Sequence, residues 1–253
     1  MPGFAIVRRL EAVGFRAWPA ANVHYDGSWA VRLTASHPSK RLNSVNPLDP
    51  ADHRQVEERI ERAAKRFRSY GRALVFRQSP LAPLQLEAHL DAQGWRRFDE
   101  TAVLTAELDR IDLEGGFDQI PLRDVGQYVD SSIAVRGVDP AIKPGLTEVL
   151  ESIRQPSAMF VLEDSAGPVA SALCVHDNDM AGLFEVAVRE DAQGRGYARS
   201  VVRASLRWAR SQGARLGWLQ VEIANRAAAS LYDRLGFSEV YRYAYRQKPE
   251  SRG

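Results

Sequence analysis

The chain predicts a mixed α/β fold made of two similar halves, each a sheet flanked by helices. Three observations carry this reading. Apolar strand runs alternate with amphipathic helical segments from Ala73 to Arg246. Two stretches align without gaps at an offset of 142 residues, setting Gly71 on Gly213 and Gly94 on Gly236. A glycine-rich turn, Gln193 to Ala198, joins a strand to a helix, and only the second half has one.

In the first half a helix is expected from about Asp52, with apolar residues at Val56, Ile60, Ala63, Ala64 and Phe67. Gly71 ends it, as glycine commonly does after a last helical turn. A strand (Ala73 to Arg77), a helix (Pro83 to Gln93) and a strand (Ala102 to Leu108) follow. The second half repeats the series: helix (Arg199 to Gln212), strand (Leu216 to Ile223), helix (Arg226 to Leu235) and strand (Glu239 to Arg246). Before its turn lie a strand (Asp118 to Pro121), helical segments across Asp124 to Arg154, and strands at Ala158 to Glu163, Pro168 to His176 and Leu183 to Val188. Turn residues at Asp164 to Gly167 and Asp177 to Asp179 join these last strands as hairpins. The boundary is expected at Arg110 to Phe117, giving domains 1–112 and 113–253.

At 253 residues, with 45% hydrophobic and 26% charged positions, either domain can bury a core. A net charge of +2 gives no global reason to expect a nucleic-acid partner. The single cysteine, Cys174, excludes an internal disulfide and lies in an apolar run, where a buried inert thiol is expected. No apolar stretch approaches the ~18 residues of a membrane span, and no signal-peptide core opens the chain. A soluble cytoplasmic protein without membrane partners, monomer or homodimer, is expected.

The turn Gln193-Gly194-Arg195-Gly196-Tyr197-Ala198 is built for an anion. Glycines let the backbone approach a ligand, and the first N–H groups of the following helix lack internal partners. Farther on, Asn225 is followed seven residues later by Tyr232 and then by Gly236-Phe237. Together these segments resemble the acetyl-CoA-binding core of the GNAT superfamily of N-acetyltransferases. Its loop pattern, Gln/Arg-x-x-Gly-x-Gly/Ala, is met by Gln193, Gly196 and Ala198. The resemblance implies a mostly antiparallel sheet in which the fourth and fifth strands of the domain splay apart. The tandem layout resembles the mycothiol synthases, and the second half also resembles bacterial ribosomal-protein alanine acetyltransferases.

The resemblance also implies roles. The donor diphosphate sits on the N–H groups of Gly194 through Ala198. The pantetheine arm pairs with the backbone of Val186 and Val188, and Asn225 caps its helix while touching that arm. Arg195 or Arg199 adds charge pairing or is a solvated surface residue. Tyr232 donates to the departing thiolate, for which a phenol with pKa ~10 is suited. The attacking amine must lose a proton, and Glu222, Glu185 and His176 are candidate bases. Each carboxylate has a rival reading as a solvated edge or a structural ion pair, and His176 as an exposed structural histidine. The positions where some relatives carry the base are Gly182 and Gln220 here, which argues against a base assigned by family alone.

The first half has Leu90 where the second has Tyr232, and a glycine-free stretch, Arg41 to Pro50, ahead of its helix. It is therefore expected to be a degenerate copy. Within that stretch Asn43, Ser44, Asn46 and Asp49 suit turn and cap chemistry, or the segment reaches the site. Tyr241, Tyr243 and Tyr245 share one strand face, with Arg242 and Arg246 on the other. They line an acceptor pocket or pack in the core. The expected activity is metal-free acetyl transfer from acetyl-CoA to a primary amine, of a small molecule by preference. A protein N-terminus or lysine, and a non-catalytic acyl-CoA sensor, are the alternatives.

Overall fold

The computed structural model describes residues 3–114 and 119–249. Its first half comprises α1 (Phe4–Ala17), β1 (Asn22–Asp26), β2 (Trp29–Leu33), β3 (Ser44–Pro47), α2 (Val56–Ser69), β4 (Val75–Gln78), α3 (Leu84–Ala92) and β5 (Arg96–Glu107). Its second comprises α4 (Val125–Arg136), α5 (Lys143–Glu151), β6 (Ser157–Asp164), β7 (Gly167–Asp177), β8 (Met180–Val188), α6 (Tyr197–Ser211), β9 (Leu216–Glu222), α7 (Arg226–Arg234) and β10 (Ser238–Gln247). Every helix and strand expected from Asp52 to Leu108 and from Asp124 to Arg246 is present, with ends shifted by a few residues.

All ten strands form one continuous sheet, ordered β1-β2-β3-β4-β10-β5-β9-β8-β7-β6. Read from either end, the order is the same once each strand is replaced by its repeat partner: β1 for β6, β2 for β7, β3 for β8, β4 for β9, β10 for β5. The sense of each pairing repeats as well. The β3–β4 and β8–β9 pairs are parallel, and the others are antiparallel. The expectation of a separate sheet in each half is thus replaced by a shared one. The last strand of each half crosses over, so β10 pairs with β4 and β5 pairs with β9.

Three apolar clusters hold the sheet. On one face α6 places Val201, Val202, Leu206 and Ala209 against Phe160, Leu183 and Leu219. Each such large apolar side chain, fully buried, contributes about 1.5–3 kcal/mol. On the other face α1, α4 and α5 bring Leu10, Tyr128 and Leu146 onto Leu173, Phe184 and Trp218. The first half has its own cluster, where Ala63 and Phe67 of α2 meet Trp29, Phe76 and Trp95.

Some elements depart from the sequence reading. Three elements stand before Arg41 that the sequence reading does not include, α1, β1 and β2; Val7, Leu10, Val13 and Ala17 carry the helical spacing of α1. The Arg41–Pro50 stretch, read as turn and cap, contains β3, whose polar side chains conceal the strand pattern. Inside the sheet Asn46 Nδ2 donates to Ala30 O (3.3 Å) and Ser44 O (2.9 Å), while its Oδ1 is buried without a partner. The boundary at Arg110 to Phe117 and the strand at Asp118 to Pro121 fall partly outside the described residues. Of residues 119–122, only Leu122 joins the sheet, by one bridge to Met159.

Candidate active site

The parallel pairing of β8 with β9 stops at Leu183 and Leu219, although β8 continues to Val188 and β9 to Glu222. The strands therefore open into a cleft over their last residues. The β7–β8 register also slips there: Ser171 pairs with Ala187 but Leu173 with Phe184. Glu185 and Val186 fall in that interruption, and Glu185 takes φ +50°. A left-handed conformation costs a non-glycine residue about 1–2 kcal/mol. The bulge removes two residues from strict alternation and turns them toward the cleft.

Two grooves meet at this cleft. One, of about 800 Å³, is lined by Val186 and Val188 of β8, by the turn before α6, and by Asn225, Leu231 and Tyr232. The other, of about 590 Å³, is lined by Glu185, Glu222, Arg136, Tyr243 and the loop His37 to Arg41. Val186, Asn225, Ala228 and Tyr232 border both.

In the turn, Gly194 and Gly196 have φ of +75° and +87°. A Cβ at either would meet no protein atom within 4 Å, so backbone conformation and ligand access make glycine suitable there. The first α6 ladder bond runs from Ser200 N–H to Gly196 O (3.1 Å). The N–H groups of Tyr197, Ala198 and Arg199 precede that ladder and point out of the helix N-terminus. Gln193, Gly194, Gly196, Tyr197, Ala198 and Arg199 all line the larger groove, whereas Arg195 does not.

Asn225 caps α7 by accepting from Ala228 N–H (3.0 Å). Tyr232, about two α7 turns beyond, is 6% exposed with its ring edge-on to Phe237 at 5.7 Å. Burial pushes its pKa up to about 12. Burial alone accounts for that shift, and the residue borders both grooves.

The candidate bases are placed very differently. Glu222 is an exposed carboxylate at the end of β9. Glu185 is held by two guanidiniums: Arg41 reaches Oε1 at 3.3 Å, and Arg136 donates to Oε2. His176 pairs with Ala181 at the opposite end of β8 from the cleft. Cys174 is fully buried, which pushes its thiol pKa up. Gly182 leaves no room for a side chain, since a Cβ would lie 2.6 Å from the Trp218 ring. Gln220 accepts a hydrogen bond from Tyr243 (2.9 Å).

The three tyrosines of β10 are all buried, and Tyr243 and Tyr245 also line the smaller groove. Arg246, expected on the other face of the strand, is 5% exposed and pairs with Asp91. It stays on the face opposite the tyrosines, and α3, which carries Asp91, covers it there.

Neither His37 nor Arg136 carries a local pattern that marks it as a site residue. The His37 loop is fixed by Arg72, which donates to Thr34 O, Ala35 O and His37 O, each at 3.0 Å. Asn43 ties it further through bonds to His37 O (2.8 Å) and Ser39 O (3.0 Å). Gly145 of α5 packs against it so closely that a Cβ would lie 2.0 Å from Ser36 O. The loop thus comes from the first half but forms a wall of the second half's cleft. Burial holds the His37 pKa below its ordinary value.

The repeat sets Asp52 where the second half has Gly194. Asp52 accepts from Ser28 N–H (2.8 Å) and from Arg59 (3.0 Å), and Arg59 lies 4.0 Å over the Trp29 ring. An internal carboxylate therefore stands at the start of α2, where an incoming anion would be repelled.

Comparison with known proteins fits this geometry. A family described as "Probable histone acetyltransferase Rv0428c C-terminal" matches residues 5–246. "Uncharacterized N-acetyltransferase YobR" of Bacillus subtilis is 27% identical over 96% of this chain and 98% of its own. A [ribosomal protein bS18]-alanine N-acetyltransferase of Haemophilus ducreyi is 35% identical over 28% of this chain and 50% of its own. A GCN5-related N-acetyltransferase from Kribbella flavida superposes with a TM-score of 0.71 at 17% identity, covering 97% of this chain and 96% of that one. A tandem GNAT protein from the clavulanic acid biosynthesis pathway superposes with a TM-score of 0.62 at 15% identity, over 96% and 88%.

Proposed function

The chain belongs to the Rv0428c C-terminal family and is a GNAT-type N-acetyltransferase; from that premise we propose that it moves an acetyl group from acetyl-CoA directly to the primary amine of a small molecule. The observation that carries this reading is the meeting of two grooves at Val186 and Tyr232. One groove begins at a glycine turn and helix N-terminus; the other is polar and open to solvent.

In this reading the donor lies in the larger groove. Its diphosphate takes the N–H groups of Gly194 through Ala198, where the α6 dipole adds about 0.3–1 kcal/mol. Gln193 and Arg199 flank it, and Arg195 remains a solvated surface charge. The pantetheine arm pairs with the backbone of Val186 and Val188, which β9 has left free, and Asn225 bounds the arm from the α7 side. The N–H of Val186, outside the β7–β8 register, points at the thioester carbonyl. One well-placed donor to a developing oxyanion contributes about 3–4 kcal/mol.

The amine enters through the smaller groove. Glu222 orients its ammonium and passes the proton to solvent, while Glu185, committed to two guanidiniums, shapes the bulge. The neutral amine then attacks: the N–C bond forms, the C–S bond breaks, and the electron pair leaves on sulfur. Tyr232 donates a hydrogen bond to that sulfur. With the phenol near pKa 12 and a thiol near 8.5, full proton transfer is uphill by about 5 kcal/mol. Hydrogen bonding is therefore its contribution, and the proton that the thiolate takes up comes from the amide-forming nitrogen by way of solvent.

Residues 113–253 carry the donor site in this account. Residues 1–112 are a copy that has lost its own and lends a wall, the His37–Arg41 loop, which narrows the acceptor groove to a size suited to small molecules. Replacing Tyr232 by Phe tests the assignment. CoA release should fall about 10- to 100-fold while the acetyl-CoA dissociation constant changes less than twofold. Unchanged turnover would remove Tyr232 from the mechanism.

A further inference from the structure

The charges around the smaller groove are unevenly matched. Arg41 and Arg136 share one carboxylate, that of Glu185, whose side chain is 7% exposed. Immediately behind them lie buried Arg32 and Arg77 with one buried carboxylate, Glu11, which accepts from Arg77 and Tyr241 but not from Arg32. Arg32 donates to Trp18 O and leaves its Nε buried without a partner. Arg32, Arg41 and Arg77 converge on a void of about 10 Å³ that shares Phe184 and Gln220 with the groove. Four guanidiniums thus face two carboxylates at this end. Lys40 adds nothing to the excess, because Asp99 neutralises it at 2.6 Å.

The opposite charge stands at the other end. Glu222 borders the groove with Tyr232 as an exposed carboxylate. A partly buried guanidinium is stabilised when a second anion takes its remaining N–H donors, and its planar fork suits carboxylate or phosphate. A polycationic peptide meets repulsion at the arginine end and only one carboxylate in return.

Resting on the donor reading above, we propose that the acceptor is a small primary amine that also carries an anionic group, carboxylate or phosphate. Arg41 and Arg136 hold the anion while the amine lies toward Glu222 and Tyr232. The two arginines are specificity-determining: Arg41 comes from the first half's loop and Arg136 from the last turn of α4, so both halves select the substrate.

The test is a panel of matched amines with the unmodified protein, scored by CoA release in the presence of saturating acetyl-CoA. It contains α-amino acids, their carboxamides, the corresponding decarboxylated amines, amino-sugar phosphates with their unphosphorylated parents, and a lysine-rich peptide. The expected result is a kcat/KM about 10- to 100-fold higher for the anionic member of a pair. Preference within the amino-acid arm or within the phosphate arm tells which anion is used. Arg136→Gln should shrink that ratio toward one by raising KM for the anionic amine about tenfold with kcat largely kept, and Arg136→Lys should restore part of it. The panel decides the matter even where a variant fails to fold. Equal or better use of neutral amines or the lysine-rich peptide would overturn the proposal and leave the donor assignment standing. So would the absence of any release with anionic amines from protein that binds acetyl-CoA. Failure to bind acetyl-CoA at all would overturn both.

Discussion

At the start of α2 a carboxylate, Asp52, occupies the repeat position that Gly194 holds before α6. That exchange converts an anion cradle into a self-contained ion pair. Burial works to raise the Asp52 pKa, but hydrogen bonds from Arg59 and Ser28 outweigh it and hold the group at about 2. The folded value lies below the unfolded value of ~3.9, so the stabilisation is present above pH ~4 and is lost as pH falls through 2. With a side chain about a quarter exposed, this amounts to roughly 1–2 kcal/mol. Asp52→Asn should therefore lower stability at pH 7 by that amount and by little near pH 2, as read from denaturant midpoints at the two pH values. Gly194, Gly196, Asn225 and Tyr232 were legible in the sequence because their chemistry is local: positive φ, a cap, a phenol at a set spacing from that cap on a short helix. Glu185 was legible only as a residue on a strand. Its left-handed backbone and its two guanidinium partners arise from the bulge and from loops far away in sequence, which no local pattern encodes. His37 and Arg136 were missed for the same reason.

At the scale of elements, β5 and β10 are exchanged between the halves, and this sets how the halves depend on each other. β9, a cleft strand, pairs with β5 along its whole length, from Thr101–Glu222 to Glu107–Leu216. β10 pairs on both sides with strands of the first half. Residues 113–253 alone would leave β9 with an open edge and β10 with none of its partners, and unpaired apolar edges associate. We expect that fragment to be aggregated or to lack a cooperative thermal transition. Co-production with residues 1–112 should restore a soluble complex. A fragment that is monomeric and melts cooperatively alone would contradict the role given to the exchange. The repeat and its strands were legible from periodicity and from the 142-residue offset. The exchange was not, because a strand's own pattern specifies which face is buried and leaves its neighbour to be chosen by packing.

At the scale of the whole molecule, a doubled sheet supports one cleft with two unlike inputs. The second half's glycine turn and bulge form the larger groove, and the first half closes the smaller one with the His37–Arg41 loop. The counterpart of the donor groove in the first half has Asp52 at its helix and Leu90 in place of the tyrosine, with Leu90 fully buried in that half's core. The proposed donor site is therefore expected once per chain. Titration of the intact protein with acetyl-CoA, followed by calorimetry, tests that claim most directly. The account predicts one molecule bound per chain, with binding abolished by Gly196→Val and retained by Tyr232→Phe. A stoichiometry of two, or full binding to the Gly196 variant, would contradict it.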